Sequence, residues 1–129
     1  MKGKVGLLIL LLFFCLTLCF FYLSSNKVKE LNMYQLWDLY LNDCWSYSNI
    51  MYCQFQFVYK EELNNRISTS VNWDFFIGEF ADSHYKSLEK RSKVKWLYCE
   101  AVKSVQFNNY LIKHDDKRYF PKYLGNCNQ

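Results

Sequence analysis

From Val5 to Leu23 the chain runs for 19 residues without a charge, VGLLILLLFFCLTLCFFYL, and no other feature restricts its folding so strongly. Lys2 and Lys4 precede the run and SSNKVKE follows it. A positive start, a long apolar stretch and a polar exit form the layout of an export signal. At about 1.5 Å per residue the run nearly spans a hydrocarbon layer of about 30 Å. Cleaved signals usually have apolar stretches of roughly 7–15 residues with small residues at the exit. Ser24 and Ser25 are small enough for a cut, whereas Tyr22 and Leu23 are bulky for that pattern. Both fates stay open, with the balance toward a retained anchor. A buried core helix is the least favoured reading, because an uncharged run of this length belongs in lipid.

The chain therefore divides into residues 1–25, a signal peptide or signal anchor, and residues 26–129, an exported domain. That domain is expected outside the cytoplasm, in the periplasm, secreted, or held at the membrane through residues 5–23. The flanking charges support this orientation weakly, since Lys27 and Lys29 nearly balance Lys2 and Lys4. Of the 16 Lys and Arg only Lys2 and Lys4 precede residue 26, leaving 14 against 12 Asp and Glu, a net charge of +2. So small a charge does not point to nucleic acid. With four Gly and one Pro in the whole chain, a low-complexity or collagen-like segment is also excluded.

Six Cys divide between the two parts. Cys15 and Cys19 lie inside the apolar run, as small hydrophobes or acylation sites. Cys44, Cys53, Cys99 and Cys127 belong to the exported domain, where an even number most simply means two disulfides. Four Cys allow three pairings. Cys44–Cys53 with Cys99–Cys127 is preferred, because each closes a short loop and the second pins the C-terminal tail to the last helix. A zinc site is disfavoured: no C-x-x-C is present, and His84 and His114 stand apart from the Cys in sequence.

The domain reads as helical. Asn32 and Gln35 have capping-box spacing, and Tyr34, Trp37, Tyr40 and Leu41 recur at helical steps, so a helix is expected over Met33–Asp43. Asp43–Asn49 reads as a turn. Ile50–Leu63 alternates like a strand, but its length and KEEL ending favour helix. Asn64–Ser70 reads as a loop. Asn72 is expected to cap a helix whose face carries Trp73, Phe76, Ile77, Phe80, His84 and Leu88, with Gly78 marking a close helix crossing. The basic run Lys86–Lys95 covers the end of that helix and the start of another. Val94, Leu97, Tyr98, Ala101, Val102, Val105, Asn109 and Ile112 form the stripe of one final helix, which Pro121 cannot continue. The fold class is all-α: a small four-helix exported domain with disulfides behind an N-terminal hydrophobic signal or anchor helix.

A reaction centre is not legible. A Gly-rich phosphate loop cannot be built around Gly78 and Gly125 alone, and H-E-x-x-H and G-x-S-x-G are absent. Neighbouring carboxylates at Glu61/Glu62 and Asp115/Asp116 point to different sides of a helix and read as solvated charge. An enzyme survives only if one of the four exported Cys is a free thiol. His84 reads as a packing residue. The run Lys86–Lys95 reads as an exposed connection or as a surface for anionic lipid or an acidic partner. The expectation is a non-enzymatic binding protein of the cell envelope, with no cofactor and no metal. Its partner is another protein, a second copy of the chain included.

The layout resembles the Tai-type periplasmic immunity proteins, which neutralise the cell-wall amidase toxins of type VI secretion. The likeness lies in the export signal, in MYQLWDLYLNDC leading to a Cys, in CQFQFVYKEEL opening a second helix at Cys53, and in Cys99 followed by Tyr110, Leu111 and His114. It departs where Gln54–Glu61 contains no Gly, and where Glu100 and Asp115 stand in place of Pro. The resemblance implies a protein that plugs the cleft of a secreted amidase with a loop or a helix edge, the candidate loops being Asn64–Ser70 and His114–Pro121. Glu61, Glu62 and Arg66 beside the first loop, and Asp115 and Asp116 in the second, are then the nominal contacts. The competing expectation is a single-pass membrane-anchored structural or assembly factor.

Overall fold

The computed structural model describes residues 2–42, 56–114 and 119–127, and within the first helix the side chains at 3–19 and 26–30. All regular structure among the described residues is helical. The helices are α1 (Lys2–Glu30), α2 (Met33–Leu41), α3 (Gln56–Ile67), α4 (Trp73–Asp82), α5 (Leu88–Val102) and α6 (Val105–His114), with 3-10 turns at Ser70–Asn72 and Lys122–Leu124. The all-α expectation holds, but among the described residues alone six helices stand where four and a leader were expected.

The capping box before α2 is complete: Asn32 Oδ1 accepts from Gln35 N at 2.8 Å, and Asn32 N donates to Gln35 Oε1 at 3.2 Å. Two orphan donors of the helix start are thereby satisfied. The helix ends at Leu41, two residues early, with Asn42 as its C-cap. Trp37, Tyr40 and Leu41 are buried as expected, and Leu36 joins them with no exposed surface. Tyr34 is 70% exposed, lying edge-on to Phe75 at the rim.

The ambiguous segment is helical from Gln56 onward, and it runs through the expected loop as far as Ile67. Ile67 is buried and Arg66 pairs with Glu62 one turn earlier, so burial and an i,i+4 pair extend the helix past Asn64 and Asn65. Asn72 precedes α4 without capping it; its Nδ2 donates instead to the Arg66 carbonyl at 3.1 Å. The expected turn Asp43–Asn49 and the start of the next segment at Ile50 lie outside the described residues.

The face of α4 holds for Phe76, Ile77 and Phe80, then stops. Ser83 is fully buried and donates its hydroxyl to the Phe80 carbonyl at 2.6 Å, taking up the helix end. His84 therefore falls outside the helix and is exposed, and Leu88, 79% exposed, opens α5 behind the Ser87 cap. Gly78 faces open space, with nothing within 4 Å of a Cβ added there, so no helix among the described residues crosses at that point.

The single final helix is two. Lys103 and Ser104 interrupt it, and Ser104 Oγ accepts from Phe107 N at 3.4 Å as the cap of α6. The break resets the phase. Val94, Leu97, Tyr98 and Ala101 are buried on α5, but on α6 the buried pair is Phe107 and Leu111, while Val105, Asn109 and Ile112 are exposed.

α3 and α5 form the centre: α3 packs on α1, α2 and α5, and α5 on α2, α3, α6 and the C-terminal turn. Phe76, Phe80, Leu36, Leu63, Leu97, Phe107 and Leu111 are fully buried between them. Each such side chain contributes roughly 1.5–3 kcal/mol of burial. The Cys99 and Cys127 sulfurs lie at bonding distance, 2.18 Å, with Cα atoms 5.3 Å apart. This is one of the two preferred pairs, and it pins the tail to α5, bringing Leu124 into the core. Cys44 and Cys53 lie outside the described residues.

Candidate functional site

Helix α1 is 29 residues long, and the uncharged run lies wholly within it. Its large apolar side chains from Val5 to Leu18 are all between 53% and 72% exposed. No face of this stretch turns inward, and a helix apolar on every side is a helix whose partner is lipid or another apolar surface. The one hydroxyl between Val5 and Leu18 is satisfied internally, Thr17 Oγ1 donating to the Phe13 carbonyl at 2.8 Å. Cys15 and Cys19 are free and exposed one turn apart. Among the described residues no helix is long and apolar enough to cross a membrane.

The far end of α1 belongs to the domain. Val28 is 5% exposed and part of the core. The last carbonyls of a helix have no partner within it. Here Arg66 of α3 supplies one: Nη2 donates to Leu31 O at 2.7 Å and to Val28 O and Lys29 O at 3.3 Å each, while Nε pairs with Glu62 at 3.0 Å. Lys27 and Lys29 complement the same helix end. The apolar helix is thus joined to the folded domain without a flexible linker.

Where α4 ends and α5 begins, an open groove of about 640 Å³ is lined by His84, Arg91, Tyr119, Phe120, Lys122 and Tyr123. Arg91 Nε donates to the Tyr85 carbonyl, and its guanidinium lies 5.4 Å from the Tyr123 ring centroid. Tyr123 Oη in turn donates to the Ser83 carbonyl at 2.5 Å. Burial raises the Tyr123 hydroxyl, opposed by its Ser83 bond and by Arg91. A second groove, about 470 Å³, lies between α3 and α5, with Lys60 stacked 3.7 Å over Trp96 beside Phe57.

Of the nominal contacts, Glu61 is exposed on α3, whereas Glu62 and Arg66 are committed to each other and to the end of α1. Asp115 and Asp116 lie outside the described residues. Sequence reasoning missed the meeting of His84 and Arg91 with Tyr119–Tyr123. Its only trace was Arg91 in the basic run and three aromatic residues flanking Pro121. Among the described residues no group of three His, Cys, Asp or Glu side chains converges. Compared with protein-family models, with curated proteins and with solved structures, the chain matches none.

Proposed function

We propose that the protein is a non-enzymatic binding module of the cell envelope, anchored by the apolar stretch of α1 with its helical domain on the extracytoplasmic side. One observation carries the reading: the large apolar side chains of α1 from Val5 to Leu18 are exposed on all sides, along a helix that continues unbroken into the core at Val28. Left in water, such a surface would favour association. In a bilayer it is matched to its surroundings, and the helix satisfies its own backbone. The Cys99–Cys127 pair suits an oxidising space. The likeness to Tai-type immunity proteins supplies the finer reading, a secreted cell-wall amidase as partner and no reaction of the module's own.

Membrane fractionation of cells producing the full chain with a C-terminal tag tests this. The expected result is a chain retaining residues 1–25 that stays in the pellet through a carbonate wash. Arg at the centre of a spanning helix costs about 2.5–3.5 kcal/mol, so Leu12→Arg moves the chain toward the soluble fraction. A wild-type chain beginning near Asn26 and recovered in the supernatant overturns the anchor. Failure to inhibit any amidase toxin encoded beside its gene removes the finer reading alone.

A further inference from the structure

We infer that the groove bounded by Arg91, Lys122, His84, Tyr119 and Tyr123 is a binding site for an acidic peptide segment of a protein partner. This rests on the reading of the domain as a binding module and is independent of its anchorage. Three nitrogen-bearing side chains from two separate stretches, 84–91 and 119–123, border one depression, and no carboxylate is among its described lining residues. None of the three is paired with a carboxylate among the described residues.

Arg91 is the organised element. Its Nε is taken by the Tyr85 carbonyl and its planar group is set against Tyr123, so the fork is held in place while its terminal nitrogens remain for a ligand. A fixed guanidinium matches a carboxylate by two parallel hydrogen bonds and loses little entropy in doing so. Lys122, exposed on the 119–123 stretch, adds a second cation as a point charge. Phe120, Pro121 and the two tyrosines provide apolar wall between the charges. That mixture suits a peptide, which brings carboxylates and apolar side chains together, better than a ligand that is charge alone. Rigid tyrosines also give contact area at low entropic cost. The walls are themselves fixed, since Leu124 is buried and the Cys99–Cys127 pair holds the tail beside α5.

The test is a fluorescence-polarisation titration of the full chain in detergent micelles. The probe is a labelled ten-residue peptide with six Glu around a central Phe, and its control replaces each Glu by Gln. The Glu peptide is expected to bind at least about tenfold more tightly than the Gln peptide, as for loss of a charge-assisted hydrogen bond. Lys122→Gln and Arg91→Gln are each expected to weaken it about tenfold, while Lys103→Gln, a charge removed from the distant surface, leaves it unchanged. Because Lys122 is exposed, its variant remains informative if Arg91→Gln fails to fold. Equal binding of the two peptides, or equal weakening by all three substitutions, overturns the proposal. So does preferential binding of phosphatidylglycerol vesicles through Lys122, which assigns the groove to lipid. None of these outcomes alters membrane retention, and release of the domain from the membrane would not alter the peptide titration.

Discussion

Arg66 donates to the Leu31 carbonyl at 2.7 Å, so a side chain from the middle of the domain closes the end of the helix that carries the apolar run. The same guanidinium reaches Val28 O, Lys29 O and the Met33 sulfur, and its other side pairs with Glu62. Substitution by Ala leaves several carbonyls and a half-buried carboxylate unpartnered at once. Hydrogen bonds to charged groups contribute about 1.5–3 kcal/mol, so Arg66→Ala is expected to lose about 2–3 kcal/mol in urea unfolding. Arg66→Lys should recover less than half of that, because an ammonium cannot serve the carbonyls and Glu62 together. Full recovery by Lys would show that charge alone matters there.

Gly78 lies on the exposed side of α4, with open space where a Cβ would stand. Gly in a helix interior costs about 0.5–1 kcal/mol relative to Ala, mostly through the freedom of the unfolded chain. Gly78→Ala is therefore expected to stabilise the protein by that amount, read as a rise in the urea midpoint at constant slope. A loss of stability would mean that the residue faces a neighbour after all.

What the sequence made legible was local. Asn32 and Gln35 are three residues apart and their capping box needs nothing else, so the start of α2 could be read directly. Phe76, Ile77 and Phe80 share a face by helical spacing alone. The failures come where a side chain competes with the backbone or where partners are distant. Ser83 and Ser104 each end or restart a helix that the apolar pattern would have carried through, and a hydroxyl among apolar residues gives no strong signal in a periodicity count. Arg66 looked like a surface contact because the carbonyls it serves are more than 30 residues earlier. The groove was invisible for the same reason: His84 and Arg91 meet Lys122 only after α5, α6 and the tail have folded back.

Glu79 sits where α4 meets α2, and its carboxyl is raised above the ordinary value of 4.5. Burial is the largest cause, followed by the charges of Asp82 and Asp38. A raised carboxyl means that the folded state disfavours the ionised form. Its contribution to stability is complete below the ordinary pKa and is lost as pH rises through the folded value. Glu79→Gln should accordingly raise stability near pH 7 and have little effect near pH 4, where the wild-type group is already protonated. Added salt should shrink the difference at pH 7, since part of it is repulsion from partly exposed carboxylates. Urea titrations at the two pH values decide it; a variant equally stabilised at both would implicate packing rather than charge.

The Cys99–Cys127 pair encloses a separation of 28 residues, within which lie α6, Pro121 and the turn that seats Leu124. A cross-link over a loop of that length restricts the unfolded chain by about 3–4 kcal/mol in the entropic account. The Cys99→Ser, Cys127→Ser double variant is expected to lose up to that much. The first structure to loosen should be the tail: Leu124 leaves the core, and Tyr123 loses its hold on the Ser83 carbonyl. Ser83 closes α4 beside Arg91, so the damage should reach the groove before it reaches α2 and α3. Hydrogen exchange of the double variant checks the order, with protection expected to fall at residues 119–127 and 83–91 while Leu36 and Leu63 keep theirs. Uniform loss across all helices would show that the link stabilises the domain as a whole and has no special bearing on the groove.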